Sequence, residues 1–170
     1  MTEPANSSTN SREVQSLLVS TKVGELVLTA RPTLTPENTV GEAAREMRES
    51  RHGSVTVCEN GRLAGIFTER DLLRFFAKHQ NPVEDILQTP LSDVMTRNPA
   101  VVSTNETLFE ATRRMDEGGY RRLPVLDESG TCVGYVDVKT VTHFLVEHFP
   151  AAIYNQASSQ DSLAKAPEGA

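Results

Sequence analysis

Apolar and polar positions along this chain fall into two rhythms, and the rhythms occur in the same order twice. Val40, Ala43, Ala44 and Met47 recur at helical spacing, and so do Leu108, Ala111, Thr112 and Met115. Each set lays one buried stripe along a helix. Thr39-Val40-Gly41-Glu42 and Thr107-Leu108-Phe109-Glu110 open these helices with the form of a capping box. A short strand-like run follows, Ser54-Val55-Thr56-Val57-Cys58 in one half and Arg122-Leu123-Pro124-Val125-Leu126 in the other. The clusters Glu59-Asn60-Gly61 and Asp127-Glu128-Ser129-Gly130 then read as hairpin turns. Returning strands are expected over residues 63–67 and 132–136. Each leads into a helix, over 69–78 and 138–148, and Pro150 stops the second.

Pro32-Thr33-Leu34 and Pro99-Ala100-Val101-Val102 supply a short extended segment ahead of each half. The chain is therefore expected to be α/β, with two β-α-β-β-α repeats packed with pseudo-twofold symmetry. The boundaries read as a disordered tail over 1–14, a first repeat over 15–80 and a linker helix over 81–90. A second repeat over 91–150 and a flexible tail over 151–170 complete the chain. Val83, Ile86 and Leu87 give the linker helix its apolar side. A unit of roughly 60 residues buries too little surface to be robust alone, so the halves are expected to share their packing.

Composition narrows the classes. The hydrophobic fraction is 38%, and no run approaches the about 18 apolar residues of a membrane span. The N-terminus lacks the basic and apolar regions of a signal peptide, so a cytoplasmic location is expected. A formal net charge of −6 opposes general affinity for nucleic acid or anionic membrane. Cys58 and Cys132 read as buried free thiols; a disulfide or metal pair fits the compartment and the spacing poorly. His52, His79, His143 and His148 form no metal-ligand pattern. No nucleophile elbow and no phosphate-binding glycine loop is present. The chain is accordingly read as a non-enzyme without an obligatory cofactor.

Gly65-Ile66-Phe67-Thr68-Glu69-Arg70-Asp71 carries the candidate chemistry. A strand runs into a threonine, and an aspartate follows in the first turn of a helix. Asp71 can accept from both hydroxyls of a ribose, and a helix start beside Thr68 favours phosphate. Thr68 and Asp71 are equally the pattern of a helix cap. The duplicate, Gly134-Tyr135-Val136-Asp137-Val138-Lys139-Thr140, puts Asp137 where Thr68 stands and Thr140 where Asp71 stands. There the capping reading is preferred.

Together these features resemble the cystathionine-β-synthase-type (CBS) domain in tandem, the Bateman module. The similarity spans about residues 22–149. It rests on the Gly65-to-Asp71 motif, on Leu91-Ser92-Asp93-Val94-Met95-Thr96-Arg97-Asn98-Pro99, and on Tyr120-Arg121-Arg122-Leu123-Pro124-Val125-Leu126-Asp127. The resemblance implies clefts between the repeats that take AMP, ADP, ATP or S-adenosylmethionine as a regulatory ligand. One cleft would use Thr68, Arg70 and Asp71 with Thr96, Ala100, Val101, Tyr120, Arg121 and Pro124; Arg122 is a weaker candidate that should face elsewhere. The mirror cleft would use Asp137, Lys139 and Thr140 with Thr29, Thr33, His52 and Ser54, and its altered residues imply weak or no phosphate binding. A homodimer and an unknown effector protein are the implied partners. The alternative is a structural interaction module with vestigial clefts.

Overall fold

The computed structural model describes residues 6–29, 33–78 and 82–150. The expected C-terminal tail, the first five residues, Pro32 and His79 lie outside them. The elements begin with α1 (Asn6–Ser20), a 3-10 turn (Val23–Glu25) and β1 (Thr33–Leu34). The first repeat continues with α2 (Val40–Ser50), β2 (Ser54–Glu59), β3 (Arg62–Thr68) and α3 (Glu69–Lys78). Two short helices, α4 (Val83–Leu87) and α5 (Leu91–Val94), lead to β4 (Thr96–Arg97). The second repeat is β5 (Val102–Ser103), α6 (Leu108–Gly118), β6 (Arg122–Leu126), β7 (Cys132–Asp137) and α7 (Val138–His148). The mixed α/β architecture matches the expectation.

Both capping boxes form. The Glu42 carboxylate accepts from Thr39 N at 2.7 Å and Glu42 N donates to Thr39 Oγ1 at 3.2 Å; Thr107 and Glu110 repeat the exchange. The first hairpin turns on Asn60 and Gly61, both at positive φ (52° and 78°), as a two-residue hairpin with right-handed strand twist requires. In the longer second turn the Asp127 carboxylate accepts from the backbone N–H of Ser129 and Thr131, each at 2.9 Å.

One expectation needs correction. The tail predicted up to residue 14 is helical from Asn6 onward. Helix α1 packs on α6, and its Leu18 joins the second hydrophobic core. Its larger apolar residues gather in the last turns, so the polar first half reads as a tail.

The repeats exchange their lead-in strands. The first sheet has the order β1-β2-β3-β4, although β4 leads into the second repeat. Conversely, Thr29, in the segment ahead of β1, bridges Tyr135 of β7. Lys22 bridges Thr107, and Pro90 bridges Thr39, the equivalent contact in the other half. Each crossing needs a glycine. A Cβ on Gly65 would lie 2.8 Å from the Thr96 carbonyl oxygen, and one on Gly134 3.1 Å from that of Thr29.

Two cores result, one on the helix side of each sheet. Val55, Val57 and Phe67 pack with Val40, Ala43 and Met47. Leu123, Val125 and Val136 pack with Leu108, Ala111 and Met115. Strand alternation turns Ser54, Thr56 and Cys58, and likewise Arg122 and Pro124, to the opposite faces. These faces approach each other between the repeats, where Arg122 Nη1 reaches Ser54 Oγ at 3.4 Å.

Candidate functional site

Strand β3 delivers Thr68 to the start of α3. The Asp71 Oδ2 atom accepts from Thr68 N at 3.0 Å and from Thr68 Oγ1 at 2.7 Å. In return, Asp71 N donates to Thr68 Oγ1 at 3.1 Å. The pair is thus a reciprocal cap. The Glu69 N–H donates to the Gly53 carbonyl at 3.0 Å, so the turn just before β2 also helps to fix the helix start. The cap occupies Oδ2 and the Thr68 hydroxyl, while Asp71 Oδ1 carries no hydrogen bond among the described residues.

At the equivalent turn, the polarity is reversed. Asp137 is the N-cap of α7, and its Oδ1 accepts from Thr140 N at 2.8 Å and Thr140 Oγ1 at 2.9 Å. Val138 N donates to the Arg121 carbonyl at 3.2 Å, the counterpart of the Glu69–Gly53 contact. A carboxylate–hydroxyl pair therefore stands at both helix starts. In α3 the carboxylate lies inside the first turn; in α7 it lies before it and is largely buried.

The other predicted residues divide into those brought to these turns and those that lie apart. Thr96 pairs with Ile66 in β4–β3, and Ser54 pairs with Thr68 in β2–β3. Residues directly opposite share a sheet face, so Thr96, Ile66, Thr68 and Ser54 face one way. Ser54, assigned to the mirror cleft, thus borders Thr68. On the second sheet Arg122 pairs with Asp137, and buried Pro124 with Tyr135. Thr29 adjoins this sheet through Tyr135, while Thr33 lies in β1 beside Thr56. Arg70, Arg121 and Lys139 are exposed. His52 and Ala100 are half-buried; Ala100 packs on the second core. The Val101 carbonyl accepts from Arg114. The Tyr120 ring folds back over Gly118, into the space a Cβ there would fill.

Arg122 departs from the expectation that it faces elsewhere. It crosses to Ser54 of the other repeat, and its guanidinium carbon lies 6.0 Å from the Tyr135 ring centroid. Ser54 and Arg122 hold equivalent places in the two repeats, so their contact marks the pseudo-twofold axis. The Thr56 hydroxyl, fully buried in the same layer, has no hydrogen-bond partner among the described residues. Sequence reasoning did not single out Thr56 or Tyr135. The available signal was alternation: polar residues at every second position of β2 imply a strand face that is not part of an apolar core.

A surface depression of about 600 Å³ lies elsewhere, lined by Thr39, Arg45 and Arg48 on the α2 side and Leu87 and Gln88 on the α4 side. It contains none of the predicted site residues. Among the described residues, no cluster of three or more His, Cys, Asp or Glu could hold a metal. None of their helices is long and apolar enough to cross a membrane.

A duplicated β-α-β-β-α unit with exchanged lead-in strands defines a paired-repeat module. The family model of the CBS domain matches residues 23–78 and again residues 91–147, and the chain belongs to that family. CBSCBSPB3, a CBS domain-containing protein of Arabidopsis thaliana, is 31% identical over 128 residues, which cover 73% of this chain and 22% of that protein. The chain therefore spans about a fifth of that relative's length. YhcV, a CBS domain-containing protein of Bacillus subtilis, is 33% identical over 108 residues, 63% of this chain and 74% of YhcV. The crystal structure of CBSX2 in complex with AMP matches with a TM-score of 0.66 at 26% identity, covering 75% of this chain and 98% of that one.

Proposed function

We propose that this chain is a cytoplasmic regulatory module. It binds an adenosine-containing ligand (AMP, ADP, ATP or S-adenosylmethionine) between its repeats and transmits occupancy to a partner protein. The carrying observation is the Thr68–Asp71 pair at the start of α3, with Asp71 Oδ1 uncommitted. A free carboxylate oxygen beside helix N–H groups suits a ribose–phosphate. The reading is supported by CBSX2, which was crystallised with AMP. Thr96 on the adjoining strand, with Arg70, Arg121 and Tyr120, completes the assigned cleft. The Asp137–Thr140 turn carries its carboxylate where the first turn has Thr68, so the mirror cleft binds weakly, not at all, or takes a ligand without phosphates. The module acts without catalysis, as a homodimer associated through its helical faces, and its output lies in an effector chain. Its net charge of −6 is consistent with partners other than nucleic acid and membranes.

Calorimetric titration with AMP, ADP, ATP and S-adenosylmethionine tests this. One ligand should bind saturably at one site per chain, and Asp71→Ala should weaken it about 10-fold or more, as expected for loss of a charged hydrogen bond. Silence with all four would favour a structural module, in which Thr68 and Asp71 serve only as a cap.

A further inference from the structure

The family resemblance assigns Tyr120 to the first cleft, yet its ring rests on a helix end. Helix α6 closes with Gly118, and Gly119 follows in the left-handed conformation (φ 63°). Tyr120 N then donates to the Met115 carbonyl at 2.8 Å, a bond that finishes many helices. The ring folds back over Gly118. A Cβ at Gly118 would lie 2.7 Å from Tyr120 Cζ and closer still to Cδ2 and Cε2. Only a residue without a side chain leaves this resting place open. The ring is loosely held there: Tyr120 is 46% exposed, and its hydroxyl makes no hydrogen bond among the described residues.

The first repeat supplies the comparison. His52 stands where Tyr120 stands, its N–H donating to the Met47 carbonyl at 3.0 Å, behind a left-handed Arg51 (φ 55°). The two helix ends thus share one backbone course. Ser50 stands where Gly118 stands, so a Cβ takes up the resting place. His52 is half-buried, with its Nδ1 closed off from solvent. Of the two rings, the one denied a place on its own helix is the more buried.

We propose that Tyr120 is a gate on the first cleft, parked on Gly118 in the free chain and swung off it when an adenosine-containing ligand binds. The gate rests on the nucleotide-binding reading given above. The swing is a rotation about χ1 from one staggered well to another, which an exposed side chain makes in picoseconds to nanoseconds. It carries the ring from the end of α6 toward the head of β6, where Arg122 faces the other repeat through Ser54. There the phenol ring stacks on the flat base of the ligand. A ligand shifts such an equilibrium only by an interaction that it makes with one position and not with the other; the stack is that interaction. Gly118 sets the balance. By accommodating the parked ring it lowers the apparent affinity in proportion to the fraction of chains that are open, without itself touching the ligand.

The test compares wild type, Gly118→Ala, Tyr120→Ala and the double variant by calorimetric titration with AMP, ADP, ATP and S-adenosylmethionine. Gly118→Ala should bind about 10-fold more tightly, since the open form that it enforces is a minor one in wild type. Tyr120→Ala should lose affinity, and in its background Gly118→Ala should change nothing. In wild type, NMR cross-relaxation between the Tyr120 ring protons and the Gly118 α-protons should be present without ligand and vanish at saturation. Wild-type binding that Gly118→Ala leaves unchanged or weakens would overturn the gate alone. So would a gain that persists without Tyr120, or a ring that stays on Gly118 at saturation. Silence of both wild type and Gly118→Ala with all four ligands would overturn the nucleotide-binding reading, and the gate with it.

Discussion

At the scale of residues, two helix starts use the same pair of groups in opposite order. Thr68 before the helix and Asp71 within it close one cap; Asp137 and Thr140 close the other. Their spacing was legible in the sequence as a cap or a ligand contact, because both uses need the same acceptors near free N–H groups. Arg122 was not legible, since its partner Ser54 lies in the other repeat. A second charged residue works inside one repeat. Glu106 accepts from Ser103 N at 2.6 Å and pairs with Arg114 at 2.6 Å. The Arg114 hydrogen bond outweighs burial and holds its carboxyl below the ordinary value of 4.5. A carboxylate depressed in this way stabilises the fold above that ordinary value, and the contribution fades as pH falls through its folded pKa. Glu106→Gln should therefore lose about 1 kcal/mol at neutral pH, after allowance for solvent screening. The gap from wild type should narrow as pH falls below 4.5 and through the lowered folded pKa of Glu106, as urea titrations across pH would register.

Local rules suffice for most of the elements. Both capping boxes, both hairpins and the four principal helices follow from spacing and turn chemistry over a few neighbouring positions. Helix α1 escaped because its contact with α6 is tertiary and its sequence is polar for most of its length. The exchanged strands escaped for a related reason: pairing between Thr96 and Ile66, or Thr29 and Tyr135, leaves no local periodicity. Gly65 and Gly134 were the available clue, each placed where a strand from the other repeat's lead-in passes. Adding a Cβ at Gly65 would meet Met95 Sδ at 2.7 Å and the Thr96 carbonyl at 2.8 Å. The sulfur can move, but the backbone oxygen cannot do so without shifting β4. Gly65→Ala should accordingly destabilise by about 1–3 kcal/mol, with loss of amide protection at Thr96 and Arg97 in hydrogen exchange.

For the whole molecule, the exchange makes the two repeats mutually dependent. Each sheet is completed or covered by the lead-in of the other, and each core has a polar inner layer on its far side. Residues 15–80 alone should give a poorly dispersed amide spectrum, and so should residues 81–150. An equimolar mixture should recover the dispersion of the intact protein. A well-folded single repeat would contradict this reading. The crossing also orders events in time. Residues 22–29 are synthesised first but seated late, since Tyr135 emerges only when most of the chain has left the ribosome. Until Arg97 appears, the outer side of β3 is an open edge able to pair with another nascent chain. Translation through the linker is thus the interval in which the protein is most exposed to misassembly, and a chaperone that shields a bare strand would act there.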